Sequence, residues 1–295
     1  MNITGKTKIL GIFGYPITHT LSPIMHNTAL KAKGIDMVYL PFEVSPDSIK
    51  TAVNAIRALN IHGVNITIPH KETVLSFLDE ISEEAKLIGA VNTVVNCNGR
   101  LIGYNTDGDG YIASLKRDLN FNVKGKKVVL LGAGGAARAI LAAAAKRGAK
   151  NVVIVNRTLQ RAVSLADEFK RHFPNRDISA SGMDREEFKR HLPDANLIIN
   201  TTSLGMEGRG ELDIPFDVVP KKQTIVSDIV YKPSQTSFLK KAGRYKIRTH
   251  RGLGMLVEQG AISFKLWTGQ DMPKELVYKA LKRRLNEKRE ASCLP

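Results

Sequence analysis

Apolar and polar positions along the first hundred residues alternate with the periods of strands and helices. The apolar run KILGIF at 8–13 predicts a buried strand, and 37–44 and 62–69 have a similar strand-like pattern. The segment at 22–34 predicts a helix that Ser22 caps and that ends at a glycine. Helices and strands therefore alternate from the beginning of the chain.

An amphipathic helix is predicted for 46–60, followed by two short helical pieces at 70–80 and 82–89 and a hairpin at 90–106. The hairpin turns at Asn98-Gly99, a pair that suits a two-residue turn with positive φ angles. The helix at 46–60 places four apolar residues on one face: Ile49, Val53, Ile56 and Leu59.

A second pattern begins at Lys126 and is typical of a doubly wound parallel sheet. It runs as strand, glycine turn, helix and strand to 158, and then as a helix at 159–173. Further elements follow: strands at 196–203, 224–231 and 245–249, and helices at 234–242, 255–269 and at the end of the chain.

These patterns predict an α/β protein of two domains, because 295 residues exceed one ordinary core. Residues 1–106, completed by helices from 253–295, form the predicted substrate domain. Residues 107–252 form a predicted Rossmann-like nucleotide-binding domain.

Composition narrows the function classes. The net charge of +16 fits either a nucleic-acid surface or a solvated basic face that attracts anionic small molecules. The basic residues are dispersed and no nucleic-acid module is present, which favours the second explanation. Cys97 and Cys293 form no ligand pattern, so we expect no metal and a reducing, cytoplasmic setting; no apolar run predicts a membrane helix or signal peptide.

A dinucleotide fingerprint lies between a strand and a helix at 130–137. Its glycines permit a tight turn and a close approach to a pyrophosphate, and Ala137 permits close helix packing. An Ala/Gly-rich packing turn is the alternative explanation. The predicted cofactor contacts here are Gly132, Ala133, Gly134, Gly135 and Ala136.

The next strand ends without the acidic residue that usually holds the ribose hydroxyl of NAD. Asn156, Arg157 and Thr158 stand there instead, with Arg161 one turn later. Guanidinium groups can bind a 2′-phosphate, so the sequence predicts NADP; two solvated surface arginines are the alternative.

A second group of polar residues follows strands of the first domain. Asn65 and Thr67 share a strand face, and Lys71 follows them at a predicted helix start, where the helix dipole disfavours a cation. Asp107 occupies an ordinary N-cap position. Spacing alone leaves two explanations open: a functional pair of Lys71 and Asp107, or a solvated lysine and a helix cap.

These segments together resemble the shikimate dehydrogenase family over about residues 8–270. The resemblance is carried by motifs in both domains: HTLSP (19–23) with His26-Asn27, NITIPHK (65–71), GAVNT (89–93), GYNTDG (103–108), GAGG (132–135), NRT (156–158) and GLGMLVEQ (252–259).

The resemblance implies a cleft between the two domains and the reversible, NADP-dependent reduction of 3-dehydroshikimate to shikimate in aromatic amino-acid synthesis. It implies Lys71 and Asp107 as catalytic residues, and a monomer or homodimer. The implied substrate contacts are Thr20, Ser22, Asn65, Thr67, Lys71, Asn92, Asp107, Tyr231 and Gln259. Besides the glycine turn and the arginine segment, the implied cofactor contacts are Ile229, Gly252 and Glu83.

One position departs from the resemblance. Thr20 stands where family members with strict shikimate activity usually have serine. The rival interpretations are a quinate/shikimate dehydrogenase with broader substrate and cofactor use, and a non-catalytic NADP-binding sensor. The NRT segment favours the shikimate enzyme, and Lys71 and Asp107 argue against a sensor.

Overall fold

The computed structural model describes residues 3–206 and 210–291, with side chains through residue 286, so Cys293 lies outside the described residues. The strands are β1 (Lys8–Gly14), β2 (Met37–Glu43), β3 (Gly63–Ile66), β4 (Glu80–Ile81), β5 (Thr93–Cys97), β6 (Arg100–Tyr104), β7 (Lys127–Leu131), β8 (Asn151–Val155), β9 (Asp177–Ser181), β10 (Leu197–Asn200), β11 (Ile225–Asp228) and β12 (Arg248–His250). The helices are α1 (Ser22–Lys33), α2 (Ile49–Ala58), α3 (Glu83–Ile88), α4 (Asp107–Leu119), α5 (Gly135–Lys146), α6 (Leu159–His172), α7 (Arg185–His191), α8 (Ser237–Arg244), α9 (Leu253–Thr268) and α10 (Lys274–Ala291). None of these helices combines the length and hydropathy that crossing a membrane requires.

The backbone forms two compact units. The first takes the described residues up to Thr106 together with those from Val257 onward, and the second spans Asp107–Leu256. The first unit contains a mixed six-stranded sheet in the order β2-β1-β3-β5-β6-β4. Its antiparallel part consists of β3, β5 and β6, and β5 and β6 form the hairpin. The predicted turn at Asn98-Gly99 is confirmed, with positive φ at both residues.

The late helix α9 contributes to the first unit through a buried tryptophan. The Trp267 indole N–H donates to the carbonyl of Val94 at 3.0 Å. Gly63 leaves room for the ring, because a Cβ at that position would lie 2.2 Å from Trp267 Nε1. Helix α9 therefore packs against β3 and β5, which lie far from it in the sequence.

The second unit contains a parallel six-stranded sheet in the order β12-β11-β10-β7-β8-β9. This is the doubly wound Rossmann order, and the predicted architecture is confirmed. The chain passes from β7 outward in one direction and from β10 outward in the other. Ligands of such sheets bind at the carboxyl ends of the strands, near this reversal.

The cap predicted for α1 is wrong. Leu21 occupies the cap position without a side-chain hydrogen bond, and Ser22 is the first helical residue. The Ser22 amide instead donates to the hydroxyl of Thr20 at 3.2 Å. The proline at Pro23 fits the first turn, so the helix begins one residue earlier than a Ser22 cap allows.

Leu59 does not belong to the buried face of α2. The helix ends at Ala58, and Asn60 adopts a left-handed conformation with φ of 50°. The helical period stops there, so Leu59 is exposed and Ile61 takes the buried position instead. The piece predicted after 70 is a 3-10 helix, Thr73–Phe77, because little chain separates Lys71 from β4.

The sequence patterns missed β9 and α7. The strand buries only Ile178 and Ser181, and the helix buries only Phe188. An edge strand and a one-sided short helix leave little apolar signal. The cap of α7 was readable in the sequence, since the Asp184 carboxylate accepts from the Glu187 amide at 3.0 Å.

Candidate active site

Polar residues of the first unit meet at one edge of its sheet. Strand β5 runs antiparallel to β3, so the start of one lies beside the end of the other. The Ile66 amide donates to the carbonyl of Asn92 at 2.9 Å, and the Asn92 amide donates to that of Tyr104 at 3.0 Å. Three segments are therefore neighbours, as expected for residues at adjoining strand ends: 65–67, 92–93 and 104–106.

Asn92 is the centre of an amide and hydroxyl network. Its Oδ1 accepts from the Thr106 amide at 2.9 Å, and its Nδ2 donates to Thr106 Oγ1 at 2.9 Å. Nδ2 also donates to Gln259 Oε1 at 3.3 Å. Asn92 and Thr106 are buried, whereas Gln259 is half-buried. The network carries no net charge, which suits a ligand rich in hydroxyl groups.

Asn65 is built into the sheet edge. Its Oδ1 accepts from the Tyr39 hydroxyl at 2.7 Å. Its Nδ2 lies within 3.0–3.3 Å of three acceptors, the Asn92 carbonyl and the hydroxyls of Thr93 and Ser263. Because these partners already use its amide, Asn65 is placed to support Asn92.

Lys71 is held at the same edge by its backbone. Its carbonyl accepts a hydrogen bond from the Val91 amide at 2.8 Å, and Val91 precedes Asn92 in the chain. The preceding His70 is buried, with Nε2 at 2.7 Å from the Val44 carbonyl, and its amide donates to the Thr67 carbonyl at 2.9 Å. The turn from Thr67 to Lys71 is thus fixed by hydrogen bonds at several points, and Lys71 is half-buried.

Two hydroxyl groups lie in the loop after β1. Thr20 Oγ1 lies 3.2 Å from Ser22 Oγ, and Thr20 is half-buried while Ser22 is buried. A third hydroxyl residue, Thr67, packs against the end of β1, because a Cβ at Gly14 would lie 2.4 Å from Thr67 Cγ2. The first unit therefore brings this loop close to the Thr67 turn.

A buried, neutral histidine packs behind the residues that hydrogen-bond Asn65. His26 stacks on Tyr39 with ring centroids 4.4 Å apart, and Trp267 packs against it edge-on. Burial lowers the pKa of His26 to about 3, so the ring stays uncharged at neutral pH. Stacking on His26 fixes the Tyr39 ring, whose hydroxyl holds Asn65.

The glycine turn of the second unit has the geometry that its sequence requires. Gly132 has φ of 116°, and a Cβ there would lie 2.8 Å from Thr201 Oγ1. Gly134 begins the turn into α5 and would point a Cβ into open space. Ala137 is fully buried, while the residues at 133–136 are half-buried. The amide groups at the start of α5 can therefore receive a phosphate.

The end of β8 presents two arginines without acidic partners. Arg157, Thr158 and Arg161 are exposed, and neither guanidinium forms an ion pair with any described carboxylate. Asn156 shapes the turn, since its Nδ2 donates to the Thr158 carbonyl at 2.9 Å. Both cations are available to an anionic ligand.

The remaining predicted residues occupy varied settings. Asp107 is buried and begins α4, and Tyr231 is half-buried after β11. Ile229 and Gly252 approach closely, because a Cβ at Gly252 would lie 2.2 Å from the Ile229 carbonyl oxygen. Glu83 is exposed at the start of α3 and accepts a hydrogen bond from Lys86 at 2.7 Å.

Sequence reasoning did not single out Tyr39 and Ser263 of this network, nor Asp228, a buried carboxylate at the end of β11 in the second unit. Ser263 lies four residues after Gln259, and that helical spacing is the signal that could have placed them on one face. Tyr39 and Asp228 lie in strands whose pairing partners are far away in the chain. Among the described residues, no group of three His, Cys, Asp or Glu side chains is arranged to hold a metal ion.

Burial raises the pKa of Asp228 to about 6, although hydrogen bonds from Thr236, the Val230 amide and Asn200 oppose the shift. A carboxyl pKa above its unfolded value of 3.8 stabilises the fold below that value, and the stabilisation is lost as pH rises through about 6. From pH 4 to pH 7, we expect the wild type to lose on the order of 2 kcal/mol of unfolding free energy relative to Asp228→Asn.

Urea unfolding of both proteins at intervals across that pH range measures this difference. Tyr111, a titratable neighbour of Asp228, has a pKa that burial raises, and therefore stays neutral throughout. A free-energy difference between the two proteins that is independent of pH would contradict the assignment.

Comparison with known proteins agrees with this geometry. A doubly wound parallel sheet with a glycine turn, together with a separate unit that carries a polar network, is typical of nicotinamide-dependent oxidoreductases. Family models match three parts of the chain: the shikimate dehydrogenase substrate binding domain at residues 12–94, shikimate/quinate 5-dehydrogenase at 114–205, and the shikimate 5'-dehydrogenase C-terminal domain at 252–282. The chain belongs to the shikimate dehydrogenase family.

Individual relatives match almost the whole chain. A shikimate dehydrogenase (NADP(+)) of Alkaliphilus metalliredigens is 45% identical over 93% of this chain and 96% of its own. The Listeria monocytogenes shikimate 5-dehydrogenase, crystallised with shikimate and NAD, has a TM-score of 0.88 at 38% identity, covering 95% and 98% of the two chains. The Thermus thermophilus enzyme, crystallised with NADP(H) and shikimate, has a TM-score of 0.83 at 36% identity, covering 94% and 99%.

Proposed function

We propose that this chain catalyses the reversible, NADP-dependent interconversion of 3-dehydroshikimate and shikimate, the step that the family performs in aromatic amino-acid biosynthesis. The observation that carries the proposal is the fixed Lys71 turn beside the uncharged network of Asn92, Thr106 and Gln259. A ring acid with several hydroxyl groups matches such a surface, and a ketone reduction needs one proton donor there.

Lys71 is the proposed proton donor to the substrate oxygen. As an ammonium group it can donate a proton or stabilise a developing alkoxide. Asp107 accepts a hydrogen bond from a substrate hydroxyl in this proposal, and Tyr231 is a further substrate contact. Thr67, Asn92 and Gln259 bind the ring hydroxyls, while Asn65 holds Asn92 in place.

The second unit fits NADP. The space beside Gly134 is open, and Gly132 has a positive φ that residues with a side chain rarely adopt. Residues 132–136 would therefore hold the pyrophosphate. Arg157 and Arg161, with Asn156 and Thr158 shaping the turn, would hold the 2′-phosphate. Ile229 and Gly252 are proposed contacts further along the same cofactor, and Glu83 a peripheral one. When bound, the cofactor supplies the hydride.

A spectrophotometric assay tests the function. NADP+ reduction with shikimate is expected, with slower turnover when quinate replaces shikimate or NAD+ replaces NADP+. Comparable kcat/KM for quinate would support the broader dehydrogenase. NADP+ binding without any turnover would support a sensor.

The cellular setting and the assembly are also proposals. Cytoplasmic localisation agrees with an exposed, unpaired thiol at Cys97 and with a biosynthetic role. The proposed state is a monomer or homodimer, which light scattering of the purified protein would distinguish. We propose neither a nucleic-acid partner nor a membrane partner.

Thr20 and Ser22 are the proposed ligands of the substrate carboxylate. We expect Thr20→Val to raise KM for shikimate several-fold, because it removes a hydroxyl donor. Since the Thr20 hydroxyl also accepts a hydrogen bond from the Ser22 amide, the variant is expected to lose about 0.5–1.5 kcal/mol of unfolding free energy. Steady-state kinetics and urea unfolding measure the two effects.

Two further variants separate binding from stability. Thr20→Ser keeps the hydroxyl and is expected to retain shikimate KM, with a changed shikimate-to-quinate ratio. Thr51→Val, an exposed site on α2, is the matched control and should change neither quantity. An unchanged KM in Thr20→Val would place the carboxylate elsewhere.

A further inference from the structure

A buried carboxylate links two neighbouring strands of the second unit at their carboxyl ends. Asn200 and Asp228 are the last residues of β10 and β11 and stand opposite each other in the parallel register. Both are fully buried, and Asn200 Nδ2 donates to Asp228 Oδ1 at 2.9 Å. The loops that leave these strands begin at this bridge.

Asp228 fixes both ends of the loop that follows β11. Its Oδ1 also accepts from the Val230 amide at 2.9 Å, at the start of the loop. Its Oδ2 accepts from the Thr236 hydroxyl at 2.6 Å, at the end of the loop. Thr236 in turn caps α8 by accepting from the Leu239 amide at 3.3 Å. One side chain thus sets the path of residues 229–236.

Asn200 fixes the loop that follows β10. Its Oδ1 accepts from the amide and the hydroxyl of Thr202, at 3.0 and 2.7 Å. Its Nδ2 donates to the Leu204 carbonyl at 3.0 Å. Because Asn200 is bonded to Asp228, the two loops are coupled through the carboxylate.

Both loops contact segments assigned to the cofactor. Thr201 lies against Gly132 of the glycine turn, and its hydroxyl donates to the Leu131 carbonyl at 2.8 Å. Ile229 lies against Gly252. A shift of either loop would therefore move groups next to the proposed nucleotide site.

We propose that Asp228 is a positioning residue for NADP, which holds the loops after β10 and β11 in the shape that receives the cofactor. The proposal rests on the NADP site of the proposed function. It assigns Asp228 no contact with the cofactor or with the reacting atoms.

The hydrogen-bond pattern explains why a carboxylate stands here. The groups that face it, Asn200 Nδ2, the Val230 amide and the Thr236 hydroxyl, all donate to it, so acceptors are needed on both oxygens. No described Lys, Arg or His forms an ion pair with it. The titratable groups nearby are Tyr111, which is buried, and His250, which contacts Ser227 at 2.9 Å. An asparagine at 228 would turn an NH₂ group toward one of the donors.

The test compares NADP+ binding with stability, using calorimetry without substrate and thermal unfolding. We expect Asp228→Asn to weaken NADP+ binding about tenfold, the effect of one mismatched buried hydrogen bond. KM for NADP+ should rise to match, with a smaller change in kcat. Thr224→Val is the matched control, because it removes a buried hydroxyl bond at the opposite end of β11. It should lower the Tm and leave NADP+ affinity unchanged.

Thr236 supplies an independent test should Asp228→Asn fail to fold. Thr236→Val is expected to weaken NADP+ binding, and Thr236→Ser to retain it. In the Asp228→Asn background, Thr236→Val should weaken NADP+ binding little further, since the hydrogen bond between residues 228 and 236 is already altered. NADP+ affinity that stays normal in Asp228→Asn or Thr236→Val while the Tm falls would overturn the proposal. Absence of shikimate turnover with the expected NADP+ binding pattern would overturn the proposed substrate and leave the role of Asp228 intact.

Discussion

Lys71→Ala is expected to lower kcat for shikimate oxidation by about 10²–10⁴, the usual contribution of a positioned acid or base. The KM for shikimate should change little, because the lost interaction is made chiefly in the transition state. The backbone of residue 71 is held by the Val91 amide, so the variant keeps the local fold. Steady-state kinetics at saturating NADP+ measure both constants.

Two variants frame that result. Lys71→Arg retains the charge without an amine that can readily release its proton, and is expected to fall near alanine in kcat. Lys50→Ala removes an exposed lysine of the same unit and should leave kcat unchanged. A near-normal kcat in Lys71→Ala would remove the lysine from the proposed chemistry.

Arg157→Ala combined with Arg161→Ala is expected to raise KM for NADP+ about 10- to 100-fold, because a charge-assisted hydrogen bond contributes about 1.5–3 kcal/mol. Weak turnover with NAD+ should stay almost constant, since NAD lacks the 2′-phosphate. The arginines are exposed and form no ion pair with a described carboxylate, so stability should change little. Kinetics with both cofactors give the selectivity ratio.

The matched control lies on the same helix. Arg171→Ala removes an exposed arginine from the last turn of α6, far along the helix from Arg161, and should leave both cofactors unaffected. Equal losses with NADP+ and NAD+ in the double variant would mean that these arginines serve the fold.

The elements with a strong local signal could be predicted from the sequence. The Asn98-Gly99 hairpin and the helix after Gly134 each follow from backbone preferences within a few residues. Elements that bury a single apolar residue, as α7 buries only Phe188, could not be predicted from the apolar pattern. The Ser22 cap failed because the Ser22 amide donates to the Thr20 hydroxyl and Ser22 is itself the first helical residue.

The site could be predicted only as a set of residues. The spacing of Asn65, Thr67 and Lys71 showed that they share a strand and its turn. It did not show that Tyr39 and Ser263 would occupy the amide of Asn65, because those bonds join positions 26 and 198 residues apart. The carboxylate of Asp228 escaped for the same reason: its partners depend on the order of β10 and β11 in the sheet.

The interrupted course of the first unit has a consequence for synthesis on the ribosome. Asp107–Leu256 is continuous and emerges whole, whereas β1 to β6 emerge before it and lack Trp267 until all of the second unit has been translated. The second unit can therefore complete its core while Val94 and Gly63 still await their partner. A stalled or truncated chain ending before α9 would expose the apolar face of the first sheet, which makes such fragments substrates for chaperones or proteases.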